Sequence, residues 1–402
     1  MTSNKSSTST RLGRAASAWC RVLVVEQGEG LWGAQRYLLR LAPLLEDRGV
    51  EQVLAAPEDS ATAEAWTRDG RRHVVLSTPR DRALRNKSGR IALGSMGREI
   101  GRTVAMARRT ARLAVQIEAD VLHANSHWSH LEGVLAARLC RRPVVLHLHE
   151  ENMPDAIGRL RGLAVMGSDA TVAVSSAVAL SLPSVAAKRV EVIRNGIDAT
   201  AFRPGPSDPV LRAEMAADPK APVLLSASRL DPKKGIENII RAVAGLPEQF
   251  SHTQLAVVGS SSLDFSHAEY LRSLGQSLLG RRIRFLGQRT DVANLMRSAD
   301  ALVLASYLEG LPLGILEAQA CGLPVVAFPT AGIPEVVVDG VTGLLSEPTV
   351  PSLTTALAKL LSDPPHAAAL SVQARAEVES QHTLERQADL QVTQLRSILR
   401  TG

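Results

Sequence analysis

Short runs of β-branched residues alternate with longer helical patterns through almost the whole chain. Such alternation is typical of βαβ units, in which helices bury both faces of a parallel sheet. The first half is predicted to hold seven strands, at residues 21–26, 52–56, 73–76, 121–124, 144–149, 170–174 and 190–193. The second half is predicted to hold five, at residues 223–228, 254–258, 283–286, 301–305 and 325–327.

Length and a gap in this pattern divide the chain into two domains. A chain of 402 residues exceeds what one hydrophobic core usually fills, and the Pro-, Gly- and Asp-rich segment 195–222 has no apolar periodicity. We therefore expect the α/β class, with Rossmann-like domains at residues 21–200 and 201–380 facing across a cleft. Residues 1–20, rich in Ser and Thr, are expected to form a disordered tail, and residues 381–402 a helix that crosses back to the first domain.

Two glutamates follow the predicted strand at residues 301–305. Glu309 and Glu317 are eight positions apart, and the intervening GLPLG is expected to form a loop that turns into a helix near Leu313 or Gly314. This arrangement puts Glu309 at the carboxyl end of a strand and Glu317 about one turn into the helix. Both then face the edge of the sheet where open α/β sheets bind ligands.

The same edge is expected to bind phosphate. A helix amino terminus presents free backbone N–H groups and a positive dipole end, and the loop SRLDPKKG after residues 223–228 brings Arg229 and Lys234 to this edge. These cations would stabilise the charge on a departing diphosphate. The chain contains no Asp-x-Asp pair, so we predict no metal site and no cofactor.

Several motifs together carry a family resemblance. The Glu-x7-Glu pair, the run LEAQACGLPVV, the run AGIPEVVVDGVTGLL, the Arg229–Lys234 loop and VIRNGIDATAFRP at residues 192–204 resemble the retaining GT-B glycosyltransferases of family 4. The resemblance implies an amino-terminal acceptor domain and a carboxyl-terminal donor domain. It implies transfer of a hexose-type sugar from a UDP- or GDP-linked donor to a lipid, saccharide or small-molecule acceptor, with retention of configuration and without metal.

The resemblance also implies roles for single residues. Glu317 would bind the ribose hydroxyls of the donor and Glu309 the hexose hydroxyls, while Arg229 and Lys234 grip the diphosphate. Backbone N–H groups of the following segment would hold sugar and phosphate: Gly310, Leu311, Pro312 and Leu313. The chain departs from the family where Gly259 is followed by three serines in place of a GxGP-like loop, and where Leu311 and Pro312 replace the usual aromatic residue.

The amino-terminal half carries a weaker version of the family pattern. Gly33 opens a segment similar to the family's GGxE/Q-R loop, in which glycine lets the backbone approach the donor phosphate; Trp32 replaces the first glycine. His149 ends a predicted strand and is expected in the cleft, where the family has a histidine that contacts the transferred sugar or its acceptor. His147 is assigned the opposite strand parity and is expected to point elsewhere. Further candidates in the cleft are Asn125, Ser126 and His127.

Net charge and targeting signals limit the partners and the cellular location that we expect for this protein. A net charge of +6 suits a phosphate-bearing partner; no nucleic acid is predicted. Residues 80–112 hold ten Lys or Arg against two acids, which indicates either a solvated face or peripheral contact with an anionic membrane. We expect no secretory signal, because the first eighteen residues lack an apolar core. The sequence shows no apolar run that would span a bilayer and no Cys spacing for disulfides or zinc. A cytoplasmic protein is expected, with attachment at the inner face of the membrane left open.

Plainer interpretations of these residues stay open. Glu309 and Glu317 would be solvated acids, Arg229 and Lys234 would cap a helix or pair with Asp231, Gly33 would be a turn glycine and His149 a hydrogen-bonded core residue. Two rival functions are a nucleotide-sugar epimerase and a catalytically inactive nucleotide-sugar binder. A nicotinamide-dependent dehydrogenase is disfavoured because no G-x-G-x-x-G follows either first strand.

Overall fold

The computed structural model describes residues 18–28, 30–78, 93–153, 155–261 and 265–401. Most of the predicted tail and residues 80–92 of the basic stretch lie outside these ranges. The strands of the first half are β1 Cys20–Val25, β2 Val50–Ala56, β3 His73–Val75, β4 Val121–Ala124, β5 Val144–Leu148, β6 Ala170–Ala173 and β7 Val190–Val192. Those of the second half are β8 Val223–Ala227, β9 Gln254–Val258, β10 Ile283–Gly287, β11 Ala301–Leu304, β12 Val325–Ala327 and β13 Leu344–Leu345.

Helices connect the strands throughout. The first half contains α1 Gly33–Asp47, α2 Ala61–Arg68, α3 Leu93–Gln116, α4 Ser129–Cys140, α5 Ala156–Gly167, α6 Ser176–Leu180 and α7 Ser184–Ala187. The second half contains α8 Pro209–Met215, α9 Ile236–Ala244, α10 Phe265–Leu279, α11 Val292–Arg297, α12 Leu313–Ala320, α13 Val350–Ser362, α14 Pro364–Gln381 and α15 Leu384–Thr401.

Each half of the chain builds one parallel sheet. The first has the strand order β3–β2–β1–β4–β5–β6–β7 and the second β10–β9–β8–β11–β12–β13, and all recorded strand pairs are parallel. Central strands such as β1 and β9 are buried along their whole length, as expected for sheets covered by helices on both faces. The predicted α/β class with two parallel sheets is therefore confirmed, and every predicted strand is present.

The order reverses beside β1 in the first sheet and beside β8 in the second. Carboxyl ends of the strands around each reversal point lie at one edge, where open α/β sheets bind ligands. Glu26, Asn125 and His149 immediately follow β1, β4 and β5, while Arg229 and Glu309 follow β8 and β11. The topology thus places the candidate residues at the ligand-binding edges of the two sheets.

The chain passes between the halves at two points that run side by side. Ile197 pairs with Thr383 in a parallel bridge; the Ile197 N–H donates to the His382 carbonyl at 2.9 Å and the Leu384 N–H donates to the Ile197 carbonyl at 3.2 Å. Gly196 is required here, because a Cβ at this position would lie 2.2 Å from the Thr383 oxygen. The two crossings therefore support each other.

Helix α15 packs on the first sheet. Its apolar side chains join those of β1, β2 and α1 in one buried cluster; the α15 members are Leu384, Ala388, Val392, Leu395 and Ile398. Because the helix follows elements of the second half, this burial ties the end of the chain to the first sheet.

Candidate functional site

Lys234 and Glu309 form an ion pair at the edge of the second sheet. The Lys234 Nζ donates to the Glu309 Oε1 at 2.6 Å, and the two side chains are only 15% and 11% exposed. Lys234 ends a short 3-10 turn after β8, and Glu309 lies in the loop after β11, the strand next to β8. A sheltered carboxylate and ammonium thus share one corner of the sheet, as the sequence predicts.

A glycine presses these two loops together. Gly235 has φ +63°, and a Cβ there would lie 2.0 Å from the Ala305 carbonyl oxygen. The Tyr307 N–H also donates to the Lys233 carbonyl at 2.8 Å. Any other residue at position 235 would push the loop of Lys234 away from that of Glu309.

The segment after Glu309 lies against the first half of the chain. A Cβ on Gly310 would be 1.9 Å from the His149 carbonyl oxygen, so the two backbones touch. The Gly310 carbonyl accepts from the Gly332 N–H at 3.1 Å, and the Leu311 carbonyl accepts from the Asn195 side chain at 3.3 Å. Backbone contacts therefore hold this loop at the junction between the halves.

Helix α12 begins at Leu313, as the sequence predicts, with Pro312 as its amino-terminal cap residue. Pro312 has no N–H group, so the predicted donor set of Gly310, Leu311, Pro312 and Leu313 was wrong in this one member. The Leu311 side chain is buried in the core and anchors the loop. The first N–H groups of α12 have no acceptor within the helix by its geometry, which leaves Leu313 and Gly314 as candidate phosphate donors.

Glu317 points from α12 toward the first half of the chain. Its Oε1 lies 2.6 Å from Nη1 of Arg40 on α1. The Arg40 guanidinium also lies 5.5 Å from the centre of the Phe202 ring, a cation–π distance. A nucleoside that binds Glu317 would therefore meet an arginine that the sequence analysis missed.

Arg229 makes two contacts, one of which crosses between the halves. Its Nη1 lies 2.9 Å from the Asp231 Oδ2, the pairing considered as the plainer alternative. Its Cζ also lies 5.1 Å from the centre of the Trp32 ring. The tryptophan that replaces a family glycine thus stacks on a residue expected to grip the diphosphate.

Gly33 is the first residue of α1 and is exposed. A Cβ there would meet no atom within 4 Å. Protein packing alone therefore does not require glycine at this position, which leaves the approach of a ligand as a reason for it.

His149 lies directly after β5 and is tied to two polar residues after β1 and β4. Its Nε2 is 2.9 Å from the Asn125 Oδ1, and the Asn125 Nδ2 donates to the Glu26 Oε2 at 2.6 Å. Burial and, to a smaller extent, the charge of the neighbouring His123 lower the pKa of His149 to about 3. The imidazole is therefore neutral near pH 7.

The expected orientation of His147 was wrong. Its ring stacks on that of His149 with centroids 4.3 Å apart and an interplanar angle of 5°. Residues two positions apart on a strand share one side, so the assignment of opposite parity was an error. The His147 Nδ1 lies 3.4 Å from the Tyr37 hydroxyl and 3.3 Å from the His123 Nε2, which makes a buried cluster of aromatic and imidazole rings.

The other two candidates after β4 differ in exposure. The Ser126 Oγ accepts from the Gln27 N–H at 3.3 Å. His127 is exposed, and its Nδ1 lies 4.0 Å from the Glu150 Oε1. The other carboxylate oxygen of Glu150, Oε2, lies 4.0 Å from the Lys233 Nζ. Ser126 therefore supports the loop after β1, and His127 belongs to a mixed-charge group at the cleft mouth.

Glu335 was not predicted as a functional residue, although it lies within the quoted run AGIPEVVVDG. Its carboxylate accepts from the Ala177 N–H at 3.0 Å, the Ser176 hydroxyl at 3.1 Å and the Arg194 Nε at 3.0 Å. Burial raises its pKa, but these hydrogen bonds and the Arg194 charge outweigh burial and lower it. Glu335 thus clamps the second half to the start of α6.

The basic stretch at residues 80–112 is described only in part. On α3 the exposed arginines are Arg98, Arg108, Arg109 and Arg112, whereas Arg102 pairs with Glu99 at 2.6 Å. In the described part of the chain, every helix is too short or too polar to cross a bilayer.

Two family models match the chain. The model described as Glycosyltransferase Family 4 matches residues 32–201, and the model described as Glycosyl transferases group 1 matches residues 207–377. The first match ends, and the second begins, inside the segment that lacks apolar periodicity.

Curated relatives and solved structures agree with these matches. The chain is 32% identical to an α-maltose-1-phosphate synthase from Mycolicibacterium smegmatis over 64% of this chain and 73% of that protein. It is 37% identical to a D-inositol 3-phosphate glycosyltransferase from Corynebacterium jeikeium over 47% of this chain and 50% of that protein, so that match spans half the relative's length.

Among solved structures, HepE from Anabaena in complex with UDP and glucose matches with a TM-score of 0.81 and 24% identity, over 94% of this chain and all of that one. A sucrose-phosphate synthase from Thermosynechococcus elongatus matches with a TM-score of 0.77 and 21% identity, over 95% of this chain and all of that one. At these identities the structures establish the fold, and the relatives and family models establish the family. The chain belongs to the GT-B glycosyltransferases of group 1, family 4.

Proposed function

We propose that this glycosyltransferase moves a hexose from a UDP- or GDP-linked donor to an acceptor hydroxyl, with retention of configuration and without a metal ion. The observation that carries the proposal is the sheltered Lys234–Glu309 pair at the edge of the second sheet, beside the loop that touches His149. A cation for the diphosphate and a carboxylate for sugar hydroxyls are thereby adjacent, as a bound nucleotide sugar requires.

The donor would lie along the second sheet's edge. Glu317 on α12 binds the ribose hydroxyls, Glu309 binds the hexose hydroxyls, and the first N–H groups of α12 face the phosphates. Arg229 and Lys234 neutralise the diphosphate. The nucleotide bound in the HepE structures is UDP, so UDP-linked sugars are the first donors to test.

The reaction takes place on one face of the sugar. The bond between the anomeric carbon and the diphosphate oxygen breaks, and a bond from the acceptor oxygen to the same carbon forms on that face. The acceptor proton passes to the departing diphosphate oxygen, whose negative charge Arg229 and Lys234 stabilise. This step requires no nucleophile from the protein.

Activity measurements test this proposal directly. Thermal unfolding with UDP-, GDP- and ADP-sugars identifies the donor, because a ligand that binds only the native state raises the Tm. Proton NMR of the product then reports its anomeric configuration, with and without EDTA. The acceptor panel includes phosphorylated sugars and polyols, because the relatives' names contain such compounds. An inverted product, loss of activity in EDTA, or donor epimerisation without acceptor would each overturn the corresponding part of the proposal.

We also propose that the amino-terminal half contacts an anionic membrane surface through the basic residues 80–112, of which the structure describes those on α3, and through helices α4, α5 and α7. The most exposed large apolar side chains on these helices are Leu139, Leu163 and Val185, at 57%, 65% and 64%. The helices are in contact, since Arg138 on α4 donates to the Gly167 carbonyl at 3.0 Å and a Cβ on Gly162 would lie 3.2 Å from Pro183.

Charge favours lipid as the occupant of this face. Its exposed cations, besides the arginines of α3, are Arg138, Arg141, Arg142, Arg159, Lys188 and Arg189. Apolar side chains ringed by cations match an anionic bilayer surface. We expect sedimentation with vesicles that contain phosphatidylglycerol but not with pure phosphatidylcholine. Leu163→Ser should weaken binding, whereas Val372→Ser, at an equally exposed apolar position on α14, should not. Dimerisation through this face, or equal binding by both variants, contradicts the proposal.

A further inference from the structure

A fully buried carboxylate lies beneath the candidate site. Glu26 is the first residue after β1 and has no exposed surface. Its Oε1 accepts from the Gly28 N–H at 2.7 Å and the Gln35 Nε2 at 3.2 Å, and its Oε2 accepts from the Asn125 Nδ2 at 2.6 Å. Burial raises the pKa of Glu26 and these hydrogen bonds oppose the rise. Because all three partners are donors, the ionised carboxylate is the form that they suit.

These bonds determine which way the Asn125 amide faces. A carboxylate only accepts, so the NH2 group of Asn125 must face Glu26. The same NH2 group lies 3.5 Å from the Ala34 carbonyl. The amide oxygen therefore faces His149, whose Nε2 is 2.9 Å away. An oxygen acceptor at that distance requires the proton of a neutral imidazole to be on Nε2.

We propose that Glu26 is a positioning residue that acts through Asn125 to hold His149 as the Nε2–H tautomer. The Nδ1 atom then keeps its lone pair and accepts a hydrogen bond from a sugar or acceptor hydroxyl in the cleft. The use of that lone pair rests on the proposed function and on the sugar or acceptor contact that the family resemblance implies for His149; the tautomer does not. Glu26 also holds the loop before α1 through Gly28 and Gln35.

Glu26→Gln keeps the shape of the side chain at position 26. It reverses the direction of the hydrogen bonds that run from position 26 through Asn125 to His149. The oxygen of the introduced amide must stay toward the Gly28 N–H, because a backbone donor cannot turn round. The new NH2 group then faces the NH2 group of Asn125, and the Asn125 amide must rotate to avoid two opposed donors. Its NH2 group would then face the His149 Nε2, which has to give up its proton, and the tautomer changes to Nδ1–H.

A second substitution restores the original direction. In Glu26→Gln with Asn125→Asp, the amide introduced at position 26 donates to one oxygen of the carboxylate introduced at position 125. The other oxygen of that carboxylate accepts from the His149 Nε2–H. The negative charge has moved from position 26 to position 125, but the tautomer of His149 is that of the wild type. A carboxylate next to the imidazole also raises the pKa of His149. The fall in activity at low pH should therefore begin at a higher pH in this double variant.

The experiment is 15N NMR of the full-length protein with labelled histidine, in which a protonated ring nitrogen and one with a free lone pair resonate far apart. The His149 signals are assigned by their loss in His149→Ala. We expect Nε2–H in the wild type, Nδ1–H in Glu26→Gln and Nε2–H in the double variant. We also expect kcat to fall by about tenfold to hundredfold in Glu26→Gln and to recover in part in the double variant.

Each variant in this experiment tests a different part of the inference. An Nδ1–H tautomer in the wild type overturns the inference even if no variant folds, as does a double variant that keeps Nδ1–H. Glu132→Gln is the matched control, since Glu132 is also buried in this half and accepts from the Gln27 amide; a tautomer change there would show that any buried Glu→Gln has the same effect and would overturn the inference. Wild-type transfer by His149→Ala would remove only the sugar or acceptor contact that the family resemblance implies for His149.

Discussion

The ammonium of Lys234 and the carboxylate of Glu309 lie 2.6 Å apart at the carboxyl ends of β8 and β11. The two residues are 75 positions apart in sequence, and the fold of the second sheet brings them together. The loops that carry them are held together by the close approach of Gly235 to Ala305. In the proposed complex, Lys234 also pairs with the diphosphate, and Glu309 accepts hydrogen bonds from the hexose hydroxyls. These contacts replace part of the contact between Lys234 and Glu309.

We expect Glu309→Ala and Lys234→Ala each to lower transfer by roughly 10²-fold or more, because each removes a group aimed at the leaving diphosphate or the sugar. The double variant should be no slower than the worse single variant, since the two side chains act together. Initial rates and thermal unfolding of all three measure this. Near-wild-type rates in a folded single variant would remove the role assigned to that residue.

Local patterns were sufficient to predict the strands and the edge where the site lies. The run 254–258 is fully buried and apolar after its first residue, so its hydrophobicity was sufficient to identify it as a strand. Strand β13, Leu344–Leu345, was missed because two residues carry no periodicity. The position of Glu309 and the start of α12 at Leu313 followed from strand and turn signals within a few residues.

Contacts between the halves had no local signal. Glu335 binds Ser176 across 159 residues of sequence, and neither side chain is unusual in its own segment. The Arg40–Glu317 pair and the stack of Trp32 on Arg229 likewise depend on how the two sheets face each other. The assigned roles of the predicted site residues stay predictions.

Trp32 should report donor binding. A diphosphate that draws Arg229 away from the indole changes the environment of Trp32, which now lies 5.1 Å from the guanidinium carbon. We expect a saturable change in intrinsic fluorescence on titration with the nucleotide diphosphate. Trp32→Phe should abolish the change and Trp128→Phe should preserve it. A signal that persists in Trp32→Phe would place the reporter elsewhere.

Gly33→Ala should weaken donor binding without harming the fold. A methyl group at this position meets open space in the protein, so only a ligand backed against the glycine would exclude it. We expect the donor Kd to rise by about tenfold, a cost of about 1.4 kcal/mol. Gly101→Ala, at an exposed position in α3 that is equally open, should leave the Kd unchanged. Equal donor affinity in both variants would make Gly33 an ordinary turn residue.

Stability should fall as the pH drops from 6.5 toward 4, because the histidine cluster is buried in its neutral form. Burial lowers the pKa of His123 to about 4 and holds that of His147 well below its usual range, where the charges of His149 and His123 add to the effect. Below pH 6.5 the unfolded chain therefore binds protons that the native state does not, and the free energy of unfolding decreases with falling pH. For His123 alone the full loss of stability is on the order of 3 kcal/mol.

Urea denaturation from pH 6.5 to 4 measures the slope of the free energy of unfolding against pH. His123→Asn should reduce the slope by up to about one proton, and His252→Asn, at an exposed position, controls for the loss of a histidine as such. If the free energy of unfolding of the wild type stays constant from pH 6.5 to 4, the histidine cluster takes up protons in the native state and the prediction is wrong.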